Sequence, residues 1–153
     1  MKKLLEHSKI IVLFASSLFA MNLNAQDLKN HRWEDRILII KTLDATNEQF
    51  LAQLAEFKNT NEEMKERRFV LYTILGDVYT QINYKNPKQL YTTDKTSGRL
   101  ANILDDNKLF EVILIGLDGG IKLRQTKVLT KKELFDTVDS MPMRRSELRK
   151  KNE

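Results

Sequence analysis

Residues 110–124 read FEVILIGLDGGIKLR, and no other stretch limits the possible folds as strongly. Phe110 to Leu117 is the most apolar run downstream of the N-terminal segment. A run of that length, bounded by turn residues, predicts a central strand. Asp118-Gly119-Gly120 predicts a turn, because glycine reaches positive φ at no steric cost. From Ile121 to Thr126 the pattern alternates, with Ile121 and Leu123 one way and Lys122 and Arg124 the other. That is the signature of a half-exposed antiparallel strand. One hairpin of this kind needs further strands and a helical layer to cover its apolar faces.

The preceding chain supplies them. Residues 36–43 (RILIIKTL) hold an Ile-rich run that predicts a strand buried on both faces, as in a parallel sheet covered by helices. Phe50, Leu51, Leu54, Phe57 and Met64 then recur at helical spacing, with Thr46 or Asn47 as the N-cap. Asn59-Thr60-Asn61 is a weak point where this helix bends or breaks. Residues 69–75 (FVLYTIL) predict a second buried strand, so the first three elements form a right-handed β-α-β unit. Residues 78–95 are the least legible. Val78, Thr80 and Ile82 alternate with Tyr79 and Gln81, which allows a short extra strand in a surface insertion. Asn86-Pro87 marks a turn. A short helix is expected over residues 97–104 with Leu100, Ile103 and Leu104 inward. Thr130 and Glu133 have capping-box spacing ahead of Leu134, Phe135, Val138 and Met141, the apolar face of a last helix that Pro142 should end.

The two ends carry different signals. Lys2, Lys3 and Lys9 precede the short apolar run 10–21, and Leu23-Asn24-Ala25 offers a small residue before Gln26. This predicts a secretory signal peptide over residues 1–25. The run is shorter than the roughly 20 apolar residues that span a bilayer, so no membrane span is expected after cleavage. The segment carries three lysines and Glu6, a net +2, which leaves +3 of the chain's +5 on residues 26–153. That balance is not that of a dedicated nucleic-acid binder. The positive charge crowds the end, where residues 144–153 read as a basic tail.

The chain has no cysteine. This removes thiol nucleophiles, thiolate metal sites and redox switching together. After export a single histidine, His31, remains, which argues against a transition-metal site or a His-based catalytic triad. Asp44-Ala45-Thr46-Asn47 at a strand-to-helix junction is more naturally a cap than an anion site. Asp118 alone supplies too few ligands for calcium. Trp33 is expected to pack over the rim of the core, and Tyr79, Tyr84 and Tyr91 fall in the variable segment. No catalytic, cofactor-binding or metal-ligating residue is therefore assigned. Arg144 and Arg145 either pair with Asp139 or Glu147 or hold an anionic partner group, and Lys122 and Arg124 extend that candidate interaction surface.

The order β-α-β, helix, β-hairpin, helix is that of a thioredoxin-like α/β domain over residues 26–143, a mixed sheet flanked by helices on both faces. The combination RWEDRILII (residues 32–40), VILIGLDGGIKLR (residues 112–124) and DSMPMRR (residues 139–145) resembles domain-of-unknown-function family 4174. The resemblance runs over nearly the whole exported chain. It implies a small secreted bacterial protein with a thioredoxin-like fold, similar to domains in sushi-repeat-containing extracellular-matrix proteins, and it brings no catalytic residues with it. Redox-active thioredoxin-like proteins carry their cysteines just after the first strand and a proline before the third. Here those places read Thr42 to Asn47 and Asn107 to Phe110. The expected function is a secreted, non-catalytic binding or accessory module in the periplasm or outside the cell. Its expected partner is another envelope or extracellular protein. The alternatives are a cysteine-independent or partner-assisted peroxide or stress-related reductase, and a basic surface protein that binds anionic polymers.

Overall fold

The computed structural model describes residues 28–86, 92–96 and 98–151. The expected signal peptide, Pro87 and Tyr91 lie outside them. Six strands form one mixed sheet: β1 (Arg36–Thr42), β2 (Phe69–Leu75), β3 (Val78–Asn83), β4 (Thr92–Lys95), β5 (Phe110–Ile115) and β6 (Ile121–Gln125), in the order β4-β3-β2-β1-β5-β6. β1 runs parallel to β2 and antiparallel to β5, while β2–β3, β3–β4 and β5–β6 are antiparallel. Among the described residues a 3-10 turn (Leu28–His31) and five α-helices accompany the sheet: α1 (Glu48–Glu56), α2 (Asn61–Glu66), α3 (Gly98–Ile103), α4 (Lys131–Ser140) and α5 (Pro142–Lys151).

The period-2 alternation of strands divides the core into two layers. On one face Leu38, Ile40, Phe69, Leu71, Val112 and Leu114 meet Phe50 and Phe57 of α1 and its exit, Met64 of α2, and Leu134 and Val138 of α4. On the other face Ile37, Ile39, Val70, Tyr72, Ile113 and Ile115 meet Leu28 and the α3 residue Leu100. Helices thus cover both faces, and every residue of β1 is buried, Arg36 and Lys41 included. The local signals act as expected. Asn47 Oδ1 accepts the Phe50 N–H at 3.0 Å, Thr130 Oγ1 accepts the Glu133 N–H at 3.1 Å, and the helical run breaks at Asn59, which has φ 63°.

Four expectations are corrected. The short strand allowed from Val78 to Ile82 is β3, but this segment is not confined to the surface: β4 extends the sheet further, and Tyr79 is buried against Tyr72. Leu51 and Leu54 are exposed, because α1 turns only Phe50 and Gln53 fully inward. Pro142 ends α4 as expected, with Met141 extended at ψ 140° before it, but it also opens α5, because its missing N–H and fixed φ suit a first helical position. The stretch read as a basic tail is therefore a helix, and it docks on the domain. Trp33 does not pack over the core: it is 52% exposed with φ 69°, under the Arg32 guanidinium.

Candidate ligand pocket at the start of β1

The three motifs quoted above lie far apart in sequence, and the sheet brings them to one end. Arg36 opens β1 and is 1% exposed. Its two terminal nitrogens are committed: Nη1 donates to the Arg67 carbonyl at 2.9 Å and reaches Glu147 Oε2 at 3.4 Å, and Nη2 donates to Glu147 Oε1 at 3.2 Å. Glu147 lies in α5 and also takes Arg68 and Arg144. Arg144, 4% exposed, further holds Asp139 at 3.1 Å, Glu66 at 3.1 Å and the Glu66 carbonyl at 3.2 Å. Asp139 is shared with Arg67, whose guanidinium also lies over the Phe135 ring. The Met-Pro-Met-Arg-Arg motif is thus the hinge that swings α5 back so that Arg144 and Glu147 reach β1 and the α2–β2 connection.

This network keeps its carboxylates ionised. Burial pushes the Asp139 carboxyl up, but the bonds from Arg67 and Arg144 outweigh it and hold it below the usual value. Glu147 follows the same logic through Arg36 and Arg68. Burial lowers the Arg36 guanidinium, and Glu147 opposes it.

The hairpin turn forms the facing wall. Gly116 N–H donates to the Gly120 carbonyl at 2.9 Å, and Gly119, at φ 78°, closes the loop. Asp118 Oδ1 accepts the Gly120 N–H at 3.1 Å, and its other oxygen takes Lys122 Nζ at 2.6 Å, which holds the Asp118 carboxyl below its usual value. Gly116 leaves room for this. A Cβ there would sit 2.5 Å from Lys122 Cε, so the lysine stem lies across bare backbone. The Arg32-Trp33 segment is tied to the same turn, with Trp33 N–H donating to the Leu117 carbonyl at 2.6 Å.

Between turn and hinge lies a mostly apolar cavity of about 300 Å³, walled by Leu117, Met141, Pro142 and Met143, with Lys122 and Asp118 at its rim and Arg36 at its inner end. The Arg36 Nε is buried and has no hydrogen-bond acceptor. A second, more polar cavity of about 520 Å³ lies along the same turn, lined by Lys29, Arg32, Asn102 and again Asp118.

The four residues expected to form one interaction surface have separate fates. Arg144 is buried in its ion pairs, Lys122 pairs with Asp118, and Arg124 pairs with the buried Glu111 at 3.1 Å and donates to the Ile103 carbonyl. Arg145 is exposed. The sheet also assembles a cluster that the sequence concealed. His31 Nδ1 lies 2.8 Å from Asp35 Oδ2, and its Nε2 lies 2.8 Å from the Tyr72 hydroxyl. Lys85 Nζ sits 2.7 Å from the other Asp35 oxygen. The i,i+4 spacing of His31 and Asp35 was a local signal, whereas Tyr72 is supplied by β2. All three side chains are buried, so the cluster fastens the segment ahead of β1 to the sheet.

Among the described residues, no group of three His, Cys, Asp or Glu is placed to hold a metal ion, and no helix is long and apolar enough to cross a membrane. The family described as Domain of unknown function (DUF4174) matches residues 27–147. The chain belongs to that family. No curated protein and no solved structure matches it. The matched span takes in the cavity, the hairpin turn and α5 as far as Glu147.

Proposed function

We propose that this protein is an exported, non-catalytic binding or accessory module built on a thioredoxin-like framework. The segment order β2-β1-β5-β6, with β1 parallel to β2 and the hairpin antiparallel, supports that framework, and β3 and β4 are additions to it. The observation that carries the reading is the exit of β1, where redox relatives of this architecture place their thiols. Thr42 is fully buried there, and its hydroxyl donates to the Asp44 carbonyl at 2.9 Å. Asp44 accepts the Thr46 N–H at 2.8 Å, and Asn47 caps α1. Each polar group serves the turn itself, and the sequence has no thiol to replace them. A helix cap occupies the place of a nucleophile.

The same end of the sheet favours contact over chemistry. Leu43, Leu75 and Leu109 are 45%, 44% and 68% exposed. The Leu43 N–H bonds the Leu109 carbonyl, and the Gly76 N–H, next to Leu75, bonds the Thr42 carbonyl. Exposed apolar residues gathered in this way mark interaction surfaces. The partner class is another exported protein, a reading supported by the signal-type pattern of residues 1–25. Immobilised protein should retain one envelope protein in stoichiometric amount, and Leu43→Asp with Leu109→Asp should abolish retention while the fold persists. Retention that is unchanged in this double variant contradicts the reading. Intact mass tests export: the recovered protein should begin at Gln26, and a mass that includes residues 1–25 refutes it.

A further inference from the structure

We infer that the cavity between the hairpin turn and the Met-Pro-Met hinge is a binding site for a small amphipathic carboxylic acid, an apolar chain ending in a carboxylate. The inference deepens the binding-module reading and rests on it, but it concerns the opposite end of β1 from the Leu43 surface.

Three observations carry it. The first is the lining. Leu117, Met141, Pro142 and Met143 make an apolar wall around about 300 Å³, the lower end of the range for ligand pockets, roughly 300–1,000 Å³. Methionine side chains are unbranched and adapt to the shape of an occupant, and Met143 is 40% exposed. The second is the Arg36 Nε. Arg36 is fully buried and lines the cavity, and its other two nitrogens are taken by Arg67 and Glu147. Its Nε alone has no acceptor. A buried donor without an acceptor is costly and calls for an explanation. A carboxylate oxygen reaching it as Met143 shifts supplies one. The third is charge. Lys122 at the rim has given one of its three N–H groups to Asp118. Of the charged residues that line the cavity, Arg36 and Lys122 are cations and Asp118 is the one anion, a balance that suits a monoanion. The cavity lining thus joins an apolar wall to two cationic side chains, Arg36 and Lys122, with Asp118 already paired to Lys122. The larger cavity across the turn has no comparable unpartnered buried group.

The test is calorimetric titration of the purified protein with decanoate, with decanol as the uncharged analogue. Decanoate should bind at one saturable site. Decanol should bind at least about tenfold more weakly, the factor for losing one charged hydrogen bond. Lys122→Gln should weaken decanoate by a similar factor and leave decanol unchanged. Met143→Trp should fill the cavity and abolish binding of both, with an unchanged circular dichroism spectrum as proof of folding. Absence of saturable binding, or binding that survives Met143→Trp, overturns the assignment. Either failure leaves partner retention through Leu43 and Leu109 intact, so the two readings fall separately.

Discussion

Arg144 and Arg145 are neighbours of the same type, and the structure gives them opposite energetic weights. Arg144→Ala removes contacts to Asp139, Glu66, Glu147 and the Glu66 carbonyl. Removing one partner of a fully buried ion pair costs about 3–5 kcal/mol, because the other charge is left uncompensated. Two features reduce that figure here. The three carboxylates are 25–40% exposed, so water screens them. Each also keeps a second cation: Arg67 on Asp139, Arg36 and Arg68 on Glu147, and Lys151 on Glu66. The expected loss is therefore about 2 kcal/mol. Arg145→Ala removes an exposed side chain and should stay within about 0.5 kcal/mol of wild type. Urea unfolding followed by circular dichroism measures both. Equal effects of the two substitutions would refute the account of α5 as a helix anchored by Arg144.

Two further expectations follow. Leu114→Ala empties a fully buried position in β5, between β1 and β6, and should cost about 2–5 kcal/mol in urea unfolding; a loss below about 1 kcal/mol would place β5 at the periphery. Acid should destabilise the fold through Asp35, Asp139 and Glu147, whose carboxyls are all held below their usual values. Such groups stabilise the folded state above their unfolded pKa of about 4, and the contribution disappears as pH falls through the lower folded values. Thermal unfolding should change little in this respect between pH 7 and 5 and drop below about pH 4, less steeply in Arg144→Ala; stability that rises on acidification would contradict the sign.

The sheet was legible in the sequence wherever one physical rule acted alone. Ile37 to Ile40 and Val112 to Ile115 are apolar without interruption because helices bury both sides of the central strands. Asn47 and Thr130 announced their helices because a cap is decided within three residues. The hairpin turn was legible from Asp118 and the two glycines. Legibility failed where distant residues decide. Glu147 at i+3 and Asp139 at i−5 were legible as partners of the Arg144-Arg145 pair, but the contact with Glu66, 78 residues away, that buries Arg144 was not. Arg36 meets Glu147 across 111 residues, and no spacing rule reaches that far. Val78 to Asn83 looked like surface because its alternation is mild, yet β2 recruits it as a ladder partner and draws Tyr79 into the core. Pro142 was read for the helix it stops, while its equal fitness to start one created α5 and, with it, the apolar cavity.

As proposed, this protein binds a partner and performs no thiol chemistry. Insulin reduction with dithiothreitol as electron donor tests this most directly: the chain has no cysteine, on the proposed thioredoxin-like framework Thr42 to Asn47 and Leu109 to Phe110 take the places of the reactive groups, and the thiolate is the nucleophile of such reactions. The rate should equal the dithiothreitol blank at every protein concentration. A reproducible excess over that blank, proportional to protein and lost on heat denaturation, would contradict it.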